Sequence, residues 1–278
     1  MTARINKDTV LCMSLSGRPG NFGTRFHNFL YDELQLDFVY KAFTTRDLKA
    51  AIHGIRALGI RGCAVSMPFK EACIEFLDEL DPTASAISSV NTIVNREGHL
   101  KAYNTDYIAV KELLASHGVS PNATFALRGS GGMAKAVACA MRDAGFRSGF
   151  VLARNAAAGR ALAQSCGFEW RADIGALRPD VIVNVTPIGM SGGAEAEQLA
   201  FDLGVIEDAT TVFDVVAAPA ETPLIRAARA RGKAVITGAD VIALQAAEQF
   251  VLYTGVRPSV DQVARAAAFA VTEPARLR

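Results

Sequence analysis

Apolar and polar positions along this chain follow two rhythms, short β-rich runs and longer stretches with a helical period. Thr9–Met13 reads as a strand and Phe22–Leu36 as a helix whose apolar face carries Phe22, Phe26, Phe29, Leu30 and Leu34. Phe38–Phe43 is the next strand, Thr45–Leu58 the next helix, Gly62–Ser66 another strand and Lys70–Leu80 a further helix. Ser89–Asn95 and Leu100–Tyr103, on either side of Glu97-Gly98, predict a hairpin. A second set begins after Pro121. It has strands over Thr124–Leu127, Gly149–Ala153, Val181–Val185, Thr211–Val216 and Ala234–Thr237, with helices over Gly131–Ala144 and Ala157–Cys166. Ser191–Gly204, rich in small and acidic residues, predicts a mobile surface loop. Val241–Gly255 and Ser259–Ala270 predict two closing helices. Strand–helix alternation of this kind predicts an α/β fold with a largely parallel sheet. No internal repeat is present, and the domain break is expected in a helix near Tyr107–Val119.

Composition narrows the function classes. With 278 residues, 50% hydrophobic and 21% charged, the chain suffices for about two domains with real cores. A net charge of +1 argues against a nucleic-acid binder that works by neutralising phosphates. Cys12, Cys63, Cys73, Cys139 and Cys166 are odd in number and lack C-x-x-C spacing, which predicts a reducing, cytoplasmic setting without disulfides. Met1 to Val10 lacks a signal-peptide core, and no run approaches the roughly 18 apolar residues of a membrane helix. A small molecule is the expected partner, with neither nucleic acid nor membrane.

The segment Gly129-Ser130-Gly131-Gly132-Met133 follows a strand and opens a helix. Glycines there allow a tight turn and close approach of backbone N–H groups to a pyrophosphate, with the helix N-terminus adding positive partial charge. A plain βα turn is the bland alternative. The next strand ends at Arg154, with Arg160 soon after, where NAD-preferring domains usually place a carboxylate. An arginine there can bind a 2′-phosphate, which favours NADP; a surface arginine is the alternative. Lys70, at the end of the Ala64–Ser66 run, and Asp106 are candidates for moving a hydroxyl proton. Taken alone, a lysine is more often a solvated charge.

Taken together, the motifs resemble the shikimate dehydrogenase family. Ala64 to Lys70 is similar to N-V-T-x-P-x-K, and Ala84 to Thr92 to A-x-x-x-G-A-V-N-T. Asn104-Thr105-Asp106 matches N-T-D, Asn184 to Met190 matches N-x-T-P-x-G-M, and Gly238 with Gln245-Ala246-Ala247 resembles the closing G-x-x-M-L-x-x-Q-A-A. The resemblance implies a two-domain enzyme. Residues 1–106 would form the substrate domain and 107–240 a Rossmann-type NADP-binding domain, with the helices of 241–278 returning to the first. It implies Lys70 as general acid/base with Asp106 as its partner, and Ser66, Asn91 and Gln245 on the substrate. It further implies Gly129, Ser130, Gly131, Gly132, Met133, Arg154, Thr186, Val215 and Gly238 on the cofactor.

The departures concern the substrate. The family binds the substrate carboxylate with S-x-S-P-x-x-H-N, and His27-Asn28 closes that motif here. Asn21, Gly23 and Thr24 replace the serines and proline, while the pair Ser14 and Ser16 lies too early. Asn21 and Thr24 are the expected substitute donors. Ala217 stands where D-x-x-Y-x-P has tyrosine. Such changes are similar to a divergent shikimate dehydrogenase-like subgroup whose N-terminal segment reads like Cys12 to Pro19. The expected activity is NADP-dependent interconversion of 3-dehydroshikimate and shikimate, or of a related cyclic hydroxy acid, with weak shikimate binding, by a monomer or homodimer. The alternatives are a non-catalytic or regulatory nucleotide-binding paralogue and, less supported, a methyltransferase.

Overall fold

The computed structural model describes residues 5–272. The first residues of the Met1–Val10 segment and the last of the 241–278 segment lie outside that range. The chain divides into two compact units: residues up to Thr105 together with those from Ala243 onward, and Asp106–Ile242.

The first unit begins with β1 (Val10–Leu15), α1 (Phe22–Glu33), β2 (Phe38–Phe43), α2 (Leu48–Ala57) and β3 (Gly62–Val65). Helix α1 stops short of the expected Leu36 because Gln35 takes a left-handed φ of 55°. Helix α2 starts at Leu48, where the Asp47 carboxylate caps the N–H of Ala50. The continuous helix expected over Lys70–Leu80 does not form. A short helix α3 (Phe69–Ala72) and one 3-10 turn give way to strand β4 (Glu79–Leu80). The cause is tertiary. The N–H groups of Asp78 and Asp81 donate to the carbonyls of Leu100 and Ala102, and Phe76, Leu77 and Leu80 pack on the core beside Ile52, Ile55 and Leu100.

After α4 (Pro82–Ser85), β5 (Thr92–Arg96) and β6 (His99–Tyr103) form the expected antiparallel hairpin. Its turn, Glu97-Gly98, has both φ values positive, at 54° and 88°, the tight geometry that matches strand twist. The sheet order is β2-β1-β3-β5-β6-β4. It is mixed rather than largely parallel, because β3, β5 and β6 pair antiparallel.

The second unit holds α5 (Thr105–Ser116), which the chain enters from the first unit, then β7 (Phe125–Arg128), α6 (Gly132–Asp143), β8 (Gly149–Leu152) and α7 (Ala156–Cys166). There follow β9 (Glu169–Arg171), β10 (Val181–Asn184), α8 (Leu203–Asp208), β11 (Thr211–Asp214), α9 (Pro223–Arg229) and β12 (Ala234–Ile236). All its strand pairs are parallel, in the order β12-β11-β10-β7-β8-β9. Numbered within the unit, this is the 3-2-1-4-5-6 order of a dinucleotide-binding sheet, with its switch point between β7 and β10. Ser191–Gly204 is not a free surface loop along its whole length: Ala200 and Phe201 are buried against Ile182 and Leu224 and anchor its end.

Helix α10 (Gly238–Thr254) leads the chain back into the first unit, and α11 (Val260–Val271) follows there. A capping box between Ser259 and Gln262 starts α11. Phe250, Tyr253, Ala266 and Ala270 from these helices pack on Phe26, Leu30 and Tyr31 of α1. Among the described residues no helix is long and apolar enough to cross a membrane.

Candidate active site

In the first unit the proposed proton-transfer lysine lies just past the end of β3. The Ser66 N–H donates to the Leu15 carbonyl, and the Ser66 carbonyl accepts from Phe69 N–H at 2.9 Å, which starts the turn of α3 that carries Lys70. The Lys70 carbonyl accepts from Val90 N–H at 2.8 Å. The next residue, Asn91, is 2% exposed. Its Oδ1 accepts from the Thr105 N–H at 2.8 Å and the Thr92 hydroxyl at 2.8 Å. Its Nδ2 donates to Gln245 Oε1 at 3.3 Å. One Nδ2 hydrogen of Asn91 and the Nε2 amide of Gln245 are therefore the polar groups of this pair that remain for a substrate hydroxyl. Thr105 and Asp106 form the first turn of α5. The short segment Val90-Asn91 thus holds both the Lys70 turn and Thr105, the residue before Asp106 in the chain.

The segment expected to hold a carboxylate is less uniform. Asn21 is the N-cap residue of α1, but its exposed side chain makes no capping bond, so its amide stays available. The Thr24 hydroxyl, by contrast, is fully buried without a hydrogen-bond partner. It faces protein, and Asn21 alone of the two presents a donor to solvent. Asn28 ties α1 to β2, donating to the Tyr40 carbonyl at 2.9 Å and accepting from its N–H at 2.9 Å. His27 is buried against Tyr40, with ring centroids 4.4 Å apart. Burial pushes its imidazole pKa down to about 3; Gln249 opposes this weakly, although neither ring nitrogen meets hydrogen-bond geometry.

In the second unit the glycine segment leaves β7 at the switch point. Gly129 has φ 130°, and a Cβ there would meet Val185 Cγ2 at 2.7 Å, so only glycine fits. Ser130 follows in the turn. At Gly131 and Gly132 a Cβ would meet nothing within 4 Å, leaving open space above the α6 N-terminus. Gly131 is the N-cap and offers no side-chain acceptor, so the first N–H groups of α6, from Gly132 and Met133 on, face that space. This arrangement fits a pyrophosphate. After β8, Asn155 caps α7 through the Ala158 N–H, while Arg154 is exposed and makes no hydrogen bond or ion pair among the described residues.

Two loops flank this cradle. Asn184 Oδ1 accepts from Thr186 N–H at 3.1 Å and from its hydroxyl at 2.6 Å, folding the turn after β10. The Thr186 hydroxyl is thereby used within the loop. Asn184 Nδ2 donates to Asp214 Oδ1 at 3.0 Å, and the same oxygen accepts from Val216 N–H at 3.1 Å. Asp214 Oδ2 accepts from the Thr222 hydroxyl at 2.7 Å. The fully buried Asp214 thus joins the loop after β10 to the Val215–Thr222 loop after β11. Desolvation outweighs these three donors and raises its pKa to about 6. Gly238 lies against the second loop: a Cβ there would stand 2.4 Å from the Val216 carbonyl carbon. Val215 and Gly238 are therefore in backbone contact.

The Asn184–Asp214–Thr222 network was legible only as motif letters, because nothing in the sequence tells that Asp214 is buried. Among the described residues no group of His, Cys, Asp and Glu side chains suits a metal ion.

Comparison with known proteins matches this architecture. Residues 22–93 match the model of the shikimate dehydrogenase substrate binding domain. The chain is 58% identical over 269 residues to a shikimate dehydrogenase-like protein of Haemophilus influenzae, covering 97% of this chain and 99% of that one. It is 36% identical to a shikimate dehydrogenase (NADP(+)) of Streptococcus pyogenes, over 95% of this chain and 98% of that one. A solved shikimate 5-dehydrogenase of Thermus thermophilus, in complex with NADP(H) and shikimate, superposes with a TM-score of 0.85 at 29% identity, covering 94% of this chain and all of that one. The chain is a member of the shikimate dehydrogenase family.

Proposed function

We propose that the protein is an NADP-dependent oxidoreductase that interconverts shikimate and 3-dehydroshikimate, or a closely related cyclic hydroxy acid, and that binds shikimate weakly. The first unit serves as the substrate half and Asp106–Ile242 as the cofactor half. The bound nicotinamide supplies hydride transfer. Lys70 takes the hydroxyl proton at Nζ in the oxidative direction and returns it in reductive turnover, with Asp106 as its partner on the substrate. Asn91 and Gln245 hold ring hydroxyls with the amide hydrogens left to them, and Ser66 adds a third contact. Asn21 meets the carboxylate. The α6 N-terminus takes the pyrophosphate, Arg154 the 2′-phosphate, and Thr186, Val215 and Gly238 shape the nicotinamide side through their loops.

The observation that carries this reading is the grip of Val90-Asn91 on the Lys70 carbonyl and the Thr105 N–H. It fixes the turn of one proton-transfer residue and the chain start of the other from a single segment. A regulatory, nucleotide-binding protein without turnover is the second reading, favoured by the sealed Thr24 hydroxyl in the carboxylate segment.

Ala217→Tyr tests the substrate assignment. Losing hydroxyl contacts worth about 0.5–1.5 kcal/mol each leaves a high KM for shikimate, and a restored phenol should lower it several-fold. A parent that already saturates at micromolar shikimate, or an unchanged KM in Ala217→Tyr, contradicts weak binding. No turnover of any cyclic hydroxy acid with NADP favours the second reading.

A further inference from the structure

We infer that Arg128 is a second guanidinium for the phosphate on the adenosine ribose, so that selection of NADP over NAD rests on Arg128 together with Arg154. The inference rests on the NADP reading above.

Strand β7 is fully buried through Phe125, Ala126 and Leu127 and then ends in a half-buried arginine immediately before Gly129. A cation at the end of the central strand is costly unless something answers its charge. Among the described residues no carboxylate pairs with it directly. Among the described residues the Arg128 side chain makes no hydrogen bond and no ion pair, and its Nε is buried without a partner. Its guanidinium lies over the Phe201 ring, with Cζ 4.9 Å from the ring centroid. Phe201 is itself 1% exposed and held in the core that includes Ala126 and Leu152. A guanidinium laid on a fixed aromatic face has its plane set while its N–H donors remain free to point sideways.

The neighbouring charges indicate which anion. Arg128 pairs in register with Leu152 of β8, two residues before Arg154. Burial lowers the proton affinity of Arg128; the negative charge of Asp202 opposes this, the positive charge of Arg154 adds to it by less, and Asp173 opposes it least. Neither aspartate forms an ion pair with it. Two guanidiniums close enough to repel, both with unused donors, form an arrangement that a phosphate dianion relieves by charge-assisted hydrogen bonds. The pyrophosphate already has the open N-terminus of α6, so the phosphate left for this pair is the one that distinguishes NADP from NAD.

The test is titration of the full-length protein with NADP, NAD and adenosine 2′,5′-bisphosphate, comparing the parent with Arg128→Met, Arg128→Lys and Arg154→Ala. Met keeps the length and the contact with Phe201 but removes the charge. Arg128→Met should weaken NADP and the bisphosphate roughly ten-fold or more, the range for a lost bond to a charged group, and leave NAD within about two-fold. Retained NAD affinity also reports a folded cofactor unit. Arg128→Lys, which keeps the charge without the planar fork, should lose NADP affinity by a smaller factor, and it carries the test if the Met variant does not fold. Equal weakening of NADP and NAD, or unchanged NADP affinity in both Arg128 variants, overturns the inference while leaving a parent preference for NADP intact. A parent that does not prefer NADP overturns the cofactor reading and this inference together.

Discussion

The side-chain oxygen of Asn91 accepts the backbone N–H of Thr105 at 2.8 Å, and Asp106 is the next residue in the chain. Both Asn91 and Thr105 are buried. Asn91→Ala would leave the Thr105 N–H without an acceptor, at about 1–3 kcal/mol for a buried unsatisfied donor. Urea unfolding should show a loss of that size, together with lower turnover, since the α5 start is no longer held. Unchanged stability would show that Thr105 finds another acceptor and that Asn91 does not set the helix start.

Asp214 should make stability depend on pH in an unusual direction. Its folded-state pKa is raised to about 6 by burial, above the ordinary value of 3.8. The contribution of such an acid is complete below its unfolded pKa and is lost as pH rises through the folded one. At about 1.4 kcal/mol per pKa unit, the full loss from below pH 3 to above pH 7 amounts to about 3 kcal/mol. Asp214→Asn cannot ionise. The Tm of Asp214→Asn relative to the parent should therefore be more favourable at pH 7.5 than at pH 4.5, and an equal difference at the two pH values would contradict the assignment.

His27 gives the opposite slope. Burial lowers its pKa to about 3, so the ring stays neutral in the folded protein. Stability from this group is present above the unfolded pKa near 6.5 and is lost as pH falls. Between pH 6.5 and pH 5 the loss amounts to about 2 kcal/mol. His27→Phe, which suits a pocket formed by Tyr40, Tyr31 and Phe250, should show a flatter decline over that interval. A parallel decline in parent and variant would mean that the acid sensitivity lies elsewhere.

Much of this was legible in the sequence, for local reasons. Gly129 announces itself because a strand runs directly into a position that only glycine tolerates, and the Glu97-Gly98 turn separates two β-rich runs. Lys70, Asn91 and Asp106 stand out in the sequence by the motifs they belong to. The failures share a different cause. The stretch after Lys70 has helix-forming composition, yet its strand β4 pairs with β6, about twenty residues away, and no local pattern reports that pairing. Thr24 has the right chemistry at the motif position, but its hydroxyl turns into protein. Arg128 carries no sequence signal of its own; the missing partner that gives it meaning appears only when its neighbours are in place.

We propose that Lys70 moves a proton in an NADP-dependent oxidation of a cyclic hydroxy acid. The most direct test is the appearance of reduced nicotinamide from shikimate and NADP, followed for the parent and Lys70→Ala beside a titration of each with NADP. The parent should turn over, and Lys70→Ala should lower kcat by about 10²–10⁴-fold, the range for a lost general acid/base, with NADP affinity unchanged. Near-parental kcat in Lys70→Ala would show that another group moves the proton.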